Sequence, residues 1–493
     1  MLSVRHSTVL GLLIALLASS GLAQEDDANE PPEASACIAC IRIRVGLPRV
    51  VRGPAPNIAD NPFSEVKLSD DRFRGFTANA TTYAIDGDEP WEMGGPAVAV
   101  LKPGPPGTSS SCGQWLQHVE PAGKMLLGWI HDETDCNYKN GLQTHKSMSF
   151  ARSADRGLTW QVEGSIITGS DAPIPGRITG EGDCTAVDGR DGYYYAYCWR
   201  NTNPGVIVAR APVTNPGPGN WKKYFNGAWS EPGLGGDASK LANGPGTATS
   251  HWLSTGETLN LGNVPGGLGL FFSRDHVTFT ALPEPLFVRD KNVSWNRPGD
   301  PHELLFYWSL LDARTGANQL SDHWDLVYMD VQPNEGFDKR YLVFRPVEVS
   351  RRRHEPGKPQ VAVVLARWHN PALHDRWSTT AAVPGNYTTY KLEKETGFLM
   401  TAADPANPTV ELEDCVSQWP GHPDHILEQV GVCESARYQR LRTAGWVYSY
   451  PQERTVPLYR CYNAQDQSHF ASNEANCEKL GAMERLLGYA LSQ

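Results

Sequence analysis

Glu181 and Asp183 are a pair whose types and spacing could do chemistry. They lie in Thr179-Gly-Glu-Gly-Asp-Cys-Thr-Ala-Val-Asp-Gly-Arg-Asp-Gly-Tyr-Tyr-Tyr-Ala-Tyr-Cys-Trp199. One residue separates them, so on a strand both would face the same way. Two carboxyls, one protonated and one ionised, can give a proton and take one, which is general acid/base chemistry. The plainer alternative is two exposed loop acids. Asp132 and Glu133 follow His131 at the end of Lys124-Met-Leu-Leu-Gly-Trp-Ile-His131, again acids where a strand runs out. Asp86 and Asp88 form a third such group before Trp91. His131, His251 with Trp252, His302 with Glu303, Trp295 and Trp324 could orient or stack against a bound molecule. Structural histidines and core tryptophans are the competing reading.

The elements that must position these groups are strands. Residues 183–187 and 193–199 flank Asp188-Gly-Arg-Asp-Gly192, which reads as a β-hairpin. Ser153-Ala-Asp-Arg-Gly-Leu-Thr-Trp160 fits S-x-D-x-G-x-T-W, the Asp-box. Its Asp can cap turn amides, its Gly allows positive φ, and its Trp plugs between strands. It marks a hairpin turn of a propeller blade and carries no catalysis. Ser273-Arg-Asp275 with Phe279 is a shortened copy. With Gly 47, Pro 37 and Trp 15, many short strands and turns predict an all-β chain. The segment 61–352 has room for about five blades of four strands. Past residue 360 the pattern changes. Arg367, Asn370, Trp377 and Thr379 match Arg460, Asn463, Phe470 and Ser472 at one constant offset. Gly397-Phe-Leu-Met-Thr, Gly445-Trp-Val-Tyr-Ser and Gly488-Tyr-Ala-Leu-Ser are one phrase used three times. Residues 360–493 are therefore expected to be a smaller three-fold β-rich domain, trefoil-like, its units too small to bury a core alone.

Residues 1–23 have the polar start, short apolar core and small-residue end of a secretory signal peptide. Residues 24–60, acidic and then Pro-rich, read as a linker. The chain has 10 Cys, and in an exported protein disulfides are expected. The local pairs are Cys112–Cys136, Cys184–Cys198, Cys415–Cys433 and Cys461–Cys477, with Cys37 and Cys40 left as a fifth pair or free thiols. A lone CxxC does not make a zinc site. Net charge is −11 with scattered basic residues, which argues against nucleic acid. No stretch is apolar enough to span a membrane. No serine-nucleophile elbow, P-loop or dinucleotide fingerprint is present. No cofactor or metal is expected, calcium in a channel being the one ion left open. A monomer is expected.

Glu181-Gly followed by Asp191-Gly-Tyr-Tyr-Tyr-Ala-Tyr resembles the five-bladed β-propeller glycosidases around the family 43 arabinanases and xylosidases. Tyr307-Trp-Ser-Leu-Leu-Asp312 and Arg340-Tyr-Leu-Val are similar to a last blade in secreted hydrolase-like relatives. Arg460-Cys-Tyr-Asn463, His469-Phe470 and Gly488-Tyr489 resemble a repeat module of unknown function carried by exported hydrolases. The first resemblance implies that Glu181 is the general acid. It gives the first-blade base to Asp86 or Asp88 and the third, pKa-tuning acid to Asp132, with Glu133 and Asp183 as further candidates. The family has Pro after Glu-Gly, where this chain has Asp183. The implied activity is hydrolysis of glycosidic bonds in a polysaccharide, the carboxyl separation setting the stereochemical outcome. Two rivals stand beside it: a non-catalytic propeller lectin or adhesion protein, and a polysaccharide lyase with a Tyr or His base.

Overall fold

The computed structural model describes residues 40–53, 60–68, 70–139, 142–289, 297–351, 360–383, 390–419, 421–433 and 437–492. The signal-peptide reading, most of the linker, Cys37 and Trp295 lie outside them. Among the described residues the only helices are short 3-10 turns, and the other regular elements are all β-strands. No helix there is long and apolar enough to cross a membrane.

The strands from Ser64 to Arg351 pair into successive antiparallel meanders, numbered I to V in chain order. Meander I is Ser64–Lys67, Phe73–Asn79, Thr81–Gly87 and Val98–Leu101. Meander II is Gly113–Ala122, Met125–Asn137, Gln143–Ser153 and Gln161–Thr168. Meander III runs Ile178–Asp188, Tyr193–Arg200, Gly205–Pro212 and Lys222–Phe225, with Ala228–Pro232 at its edge. Meander IV is Ala248–Trp252, Glu257–Val264, Gly267–Ser273 and Thr280–Ala281. Meander V is Leu304–Asp312, His323–Val331 and Tyr341–Arg351, and Ile41–Val45 adds to its edge.

The pleat places alternate side chains on opposite faces, and both faces are apolar, so each meander packs on two neighbours. Leu116 and Ile130 of II meet Phe76 and Val66 of I. Trp129 and Phe150 of II meet Ala196 and Ile207 of III. Tyr197 and Val208 of III meet Phe271 and Phe279 of IV. Leu259 and Phe272 of IV meet Leu326 and Tyr328 of V. The opposite face of that same strand of V, Val327, Met329 and Val331, meets Phe63, Phe73 and Ile85 of I. First and last meanders thus share a core like any other adjacent pair.

The turn motifs do what their residues suggest. Asp155 accepts the amides of Leu158 and Thr159, Ser153 Oγ accepts the amide of Gly157, and Trp160 Nε1 donates to Gly157 O. Asp275 accepts the amides of Val277 and Thr278 in the shortened copy. All four local disulfides form, and Cys40 is also bonded.

Beyond residue 360 come three units, each a long strand, a short strand and a long strand. They start at Val361–Asn370, Thr409–Ser417 and Thr455–Asn463. Gly397, Gly445 and Gly488 sit where each unit's last strand crosses the next, at φ of 123, 145 and 149°. A Cβ at Gly445 would lie 2.8 Å from Met400 O, and one at Gly488 2.7 Å from Tyr448 O. That crowding is why one glycine recurs in all three phrases. Part of the stretch read as linker is strand. Arg49–Arg52 pairs with Tyr341–Arg351, and Ile41–Val45 pairs antiparallel to that strand and parallel to Val361–Asn370. Its alternating Ile-Arg-Ile-Arg-Val pattern is short and surrounded by prolines, which hid it.

Candidate functional site

Three carboxyls from three meanders gather at one place. Asp60 leads into the first strand of I, Glu133 lies in the second strand of II, and Asp183 lies in the first strand of III. Two cations join them. Lys146 Nζ lies 2.7 Å from Asp183 Oδ2 and 3.7 Å from Glu133 Oε1. Arg340 Nη1 lies 2.5 Å from Asp60 Oδ1, and the Tyr307 hydroxyl donates to the same oxygen at 3.1 Å. The Tyr138 hydroxyl donates to Glu133 Oε2, and Thr144 Oγ1 donates to that oxygen at 3.2 Å.

His131 is fixed between the acids. The backbone N–H of Asp183 donates to His131 Nδ1 at 3.0 Å, which makes Nδ1 the acceptor and leaves the proton on Nε2. Nε2 then donates to Glu133 Oε1 at 3.1 Å and lies 3.7 Å from Asp183 Oδ1. Trp115 packs its edge on the imidazole, ring centroids 5.4 Å apart.

Charge separates the three acids. Burial raises the pKa of Asp60 above the usual carboxylate value, and the charges of Glu133 and Asp183 add to this against Arg340 and Tyr307. Burial also opposes ionisation of Asp183, but the Lys146 ammonium outweighs it and holds the carboxyl at about 2. Glu133 is lowered in the same way, burial being overcome by His131, Lys146 and Tyr138. Burial works against the Lys146 ammonium, and Asp183 and Glu133 reverse that, raising it. The Asp183 side chain is 30% exposed, so solvent reaches this group.

Glu181 and Asp183 do not share a face. A register shift lies between Gly182 and Thr185, and Asp183 takes φ 51°, so the two acids point apart. Glu181 is 1% exposed, ion-paired with Lys223 and Arg200 at 2.7 and 2.8 Å. Lys223 is itself fully buried and donates to Thr168 O and Gly236 O. This is an internal strut of meander III. Asp132 faces away from Glu133, takes hydrogen bonds from Ser149 and Gln114, and is raised by burial to about 6. Asp86 is bound by Arg74 at 2.6 and 2.8 Å, and Asp88 is on an exposed turn.

Trp252 and Trp324 are core, edge to face at 5.2 Å, with Trp252 Nε1 donating to Asp322. His251 is buried near Arg190, and His302 pairs with Asp300. None of their polar contacts reaches the three acids. Of the residues singled out from sequence, His131, Glu133 and Asp183 come together. Asp60, Lys146, Tyr138, Tyr307 and Arg340 complete the group without having been singled out for it. Asp60 had no signal of its own, lying in the acidic and Pro-rich stretch read as linker, shortly before the first strand of I. The described residues contain one close acid–sulfur group, Glu413 with Cys415 and Cys433, and that sulfur pair is a disulfide.

No protein-family model matches the sequence, and no curated protein matches it. Several solved structures are similar in chain path. An α-L-arabinofuranosidase from Lactobacillus brevis is 12% identical, with 59% of this chain and 90% of that one covered at a TM-score of 0.39. The catalytic domain of a GH62 α-L-arabinofuranosidase from Coprinopsis cinerea is 12% identical, covering 63% and 98% at 0.40. A family 117 glycoside hydrolase of Zobellia galactanivorans is 10% identical, covering 63% and 91% at 0.40.

Proposed function

We propose that meanders I to V are the blades of a five-bladed propeller, that residues 360–493 are a trefoil-like module, and that the Asp60–Glu133–Asp183 mouth hydrolyses glycosidic bonds in a polysaccharide outside the cell. The observation that carries this reading is the split among three converging carboxyls: Asp60 pushed up, Asp183 held at about 2. Hydrolysis of a glycosidic bond needs one carboxyl that can hold a proton and one that stays ionised. Asp60 is the donor to the leaving oxygen, and Asp183 is the ionised partner that takes the anomeric carbon or activates water. The Lys146 ammonium keeps Asp183 from holding a proton, so the acid role falls on the first blade instead of the third. Glu133, saturated by Tyr138, Thr144 and His131, acts as a positioning residue for His131 and Lys146. The four disulfides suit an exported chain.

A lyase would need a free base. His131 has both nitrogens engaged, and the phenols of Tyr138 and Tyr307 have pKa values raised by burial and nearby carboxylates, so neither rivals a carboxylate. The test is sugar release from a panel of polysaccharides by the full chain, by Asp60→Asn and by Asp183→Asn. Each variant is expected to lose about 10²–10⁴-fold in rate. Release that survives both changes removes the site from catalysis. Polysaccharide binding without release by the unmutated chain moves the protein to the lectin reading.

A further inference from the structure

The seam between meanders I and V contains two buried carboxyls, three of whose oxygens have no hydrogen-bond partner among the described residues. Phe63, just before the first strand of I, lies in the apolar core shared with V, and Glu65 follows on the same face, while Val66 turns to meander II. On the second strand of V, Asp325 shares the face of Val327, Met329 and Val331, which line the same core. Glu65 is 1% exposed and Asp325 3%. Both oxygens of Glu65 and Oδ2 of Asp325 are buried with no hydrogen-bond partner among the described residues. Glu65 reaches across the seam: a Cβ at Gly316, in meander V, would lie 2.3 Å from Glu65 Oε1.

The charged groups facing the pair do not neutralise it. Asp325 feels the Arg49 guanidinium, which rests over the Trp91 ring at 4.4 Å, and the Asp312 carboxylate, which caps the amides of Arg314, Thr315 and Ser321. Glu65 feels Asp325. A carboxylate without donors in an apolar seam takes a proton in preference to staying charged.

We propose that Glu65 and Asp325 are a pH-dependent clasp on the I–V seam, closed while both carboxyls carry protons and loosened as they ionise. The pKa directions agree: burial carries Glu65 well above the ordinary carboxyl value and Asp325 to about 6. In the unfolded chain both titrate near pH 4. Above that pH the unfolded chain gives up protons that the folded chain keeps, so stability falls with rising pH, through about 6 for Asp325 and further for Glu65. The same seam assembles the candidate site. Asp60 precedes the strand that carries Glu65, its partners Tyr307 and Arg340 belong to V, and Ser309 Oγ of V donates to Phe63 O at 2.8 Å. Loosening the seam parts Asp60 from both. That link to activity rests on the proposed function, whereas the clasp does not.

The test needs no substrate. Melting temperature is followed from about pH 5 to about pH 9 for the full chain, Glu65→Gln and Asp325→Asn. The wild type is expected to lose melting temperature as pH rises, and each neutral variant to lose less, so that the gap widens with pH. Hydrogen-exchange protection in residues 60–68 and 304–312, taken relative to the intrinsic exchange rate at each pH, is expected to fall over the same range in the wild type alone. Parallel curves for all three proteins overturn the clasp. So does a wild-type melting temperature that falls with EDTA and recovers with calcium while Glu65→Gln ignores both, because a cation then holds the pair. If one variant does not fold, the other still decides.

Discussion

Lys146 is the residue on which the candidate site turns. It stands between Asp183 and Glu133, and without its charge the two acids would repel across His131. In Lys146→Met the Asp183 carboxyl is expected to titrate well above its present value of about 2, toward the ordinary value near 4. Carboxyl carbon NMR of the labelled protein reads this directly. The depressed pKa stabilises the fold above about pH 4 and that contribution is lost as pH falls toward 2, so the variant is expected to show a weaker dependence on acid there. Glu181 makes the opposite prediction. Glu181→Ala leaves Lys223 buried without its counter-charge, so a loss of about 3–5 kcal/mol is expected in urea unfolding. Sequence spacing paired Glu181 with Asp183 correctly as neighbours and wrongly as companions. The positive φ of Asp183, which separates them, is a conformation Asp tolerates better than most residues, but the residue type alone does not say that the register shifts there.

At the scale of elements, the hairpin Ile178–Asp188 and Tyr193–Arg200 was legible from its Gly-rich turn and aromatic run. So was its cross-link, Cys184–Cys198, spanning 14 residues. Replacing both cysteines by Ala is expected to cost about 2–4 kcal/mol, measured by denaturant unfolding under oxidising conditions. The three recurring glycines were legible as a repeat, and the structure supplies their reason, a backbone crossing with no room for Cβ. Gly445→Ala is expected to cost about 1–3 kcal/mol through strain at φ 145° and the clash at 2.8 Å with Met400 O. Asp60 and the strands at 41–52 were not legible. Acids and prolines dominate that stretch locally, and only partners some 300 residues away make it a sheet edge and a site.

At the scale of the molecule, residues 38–493 form one compact unit. The join between its parts is buried and mixed: Val361, Val363 and Ala382 share an apolar core with meanders IV and V, and Arg442 of the second repeat unit reaches Glu303 at 3.3 Å and lies over the Trp377 ring. Ile41–Val45 completes it, bonded to meander V on one side and to Val361–Asn370 on the other. A single calorimetric transition is therefore expected for residues 38–493, and two resolved transitions would show that the shared strand does not couple them. That strand also sets a timetable. It leaves the ribosome about 300 residues ahead of both of its partners, Tyr341–Arg351 and Val361–Asn370. At about 5–20 residues per second it waits roughly 15–60 s, its Ile and Val side chains without a sheet. Through that interval the edge of Ile41–Val45 stays unpaired, and it closes only when the strands of meander V and of the first repeat unit follow.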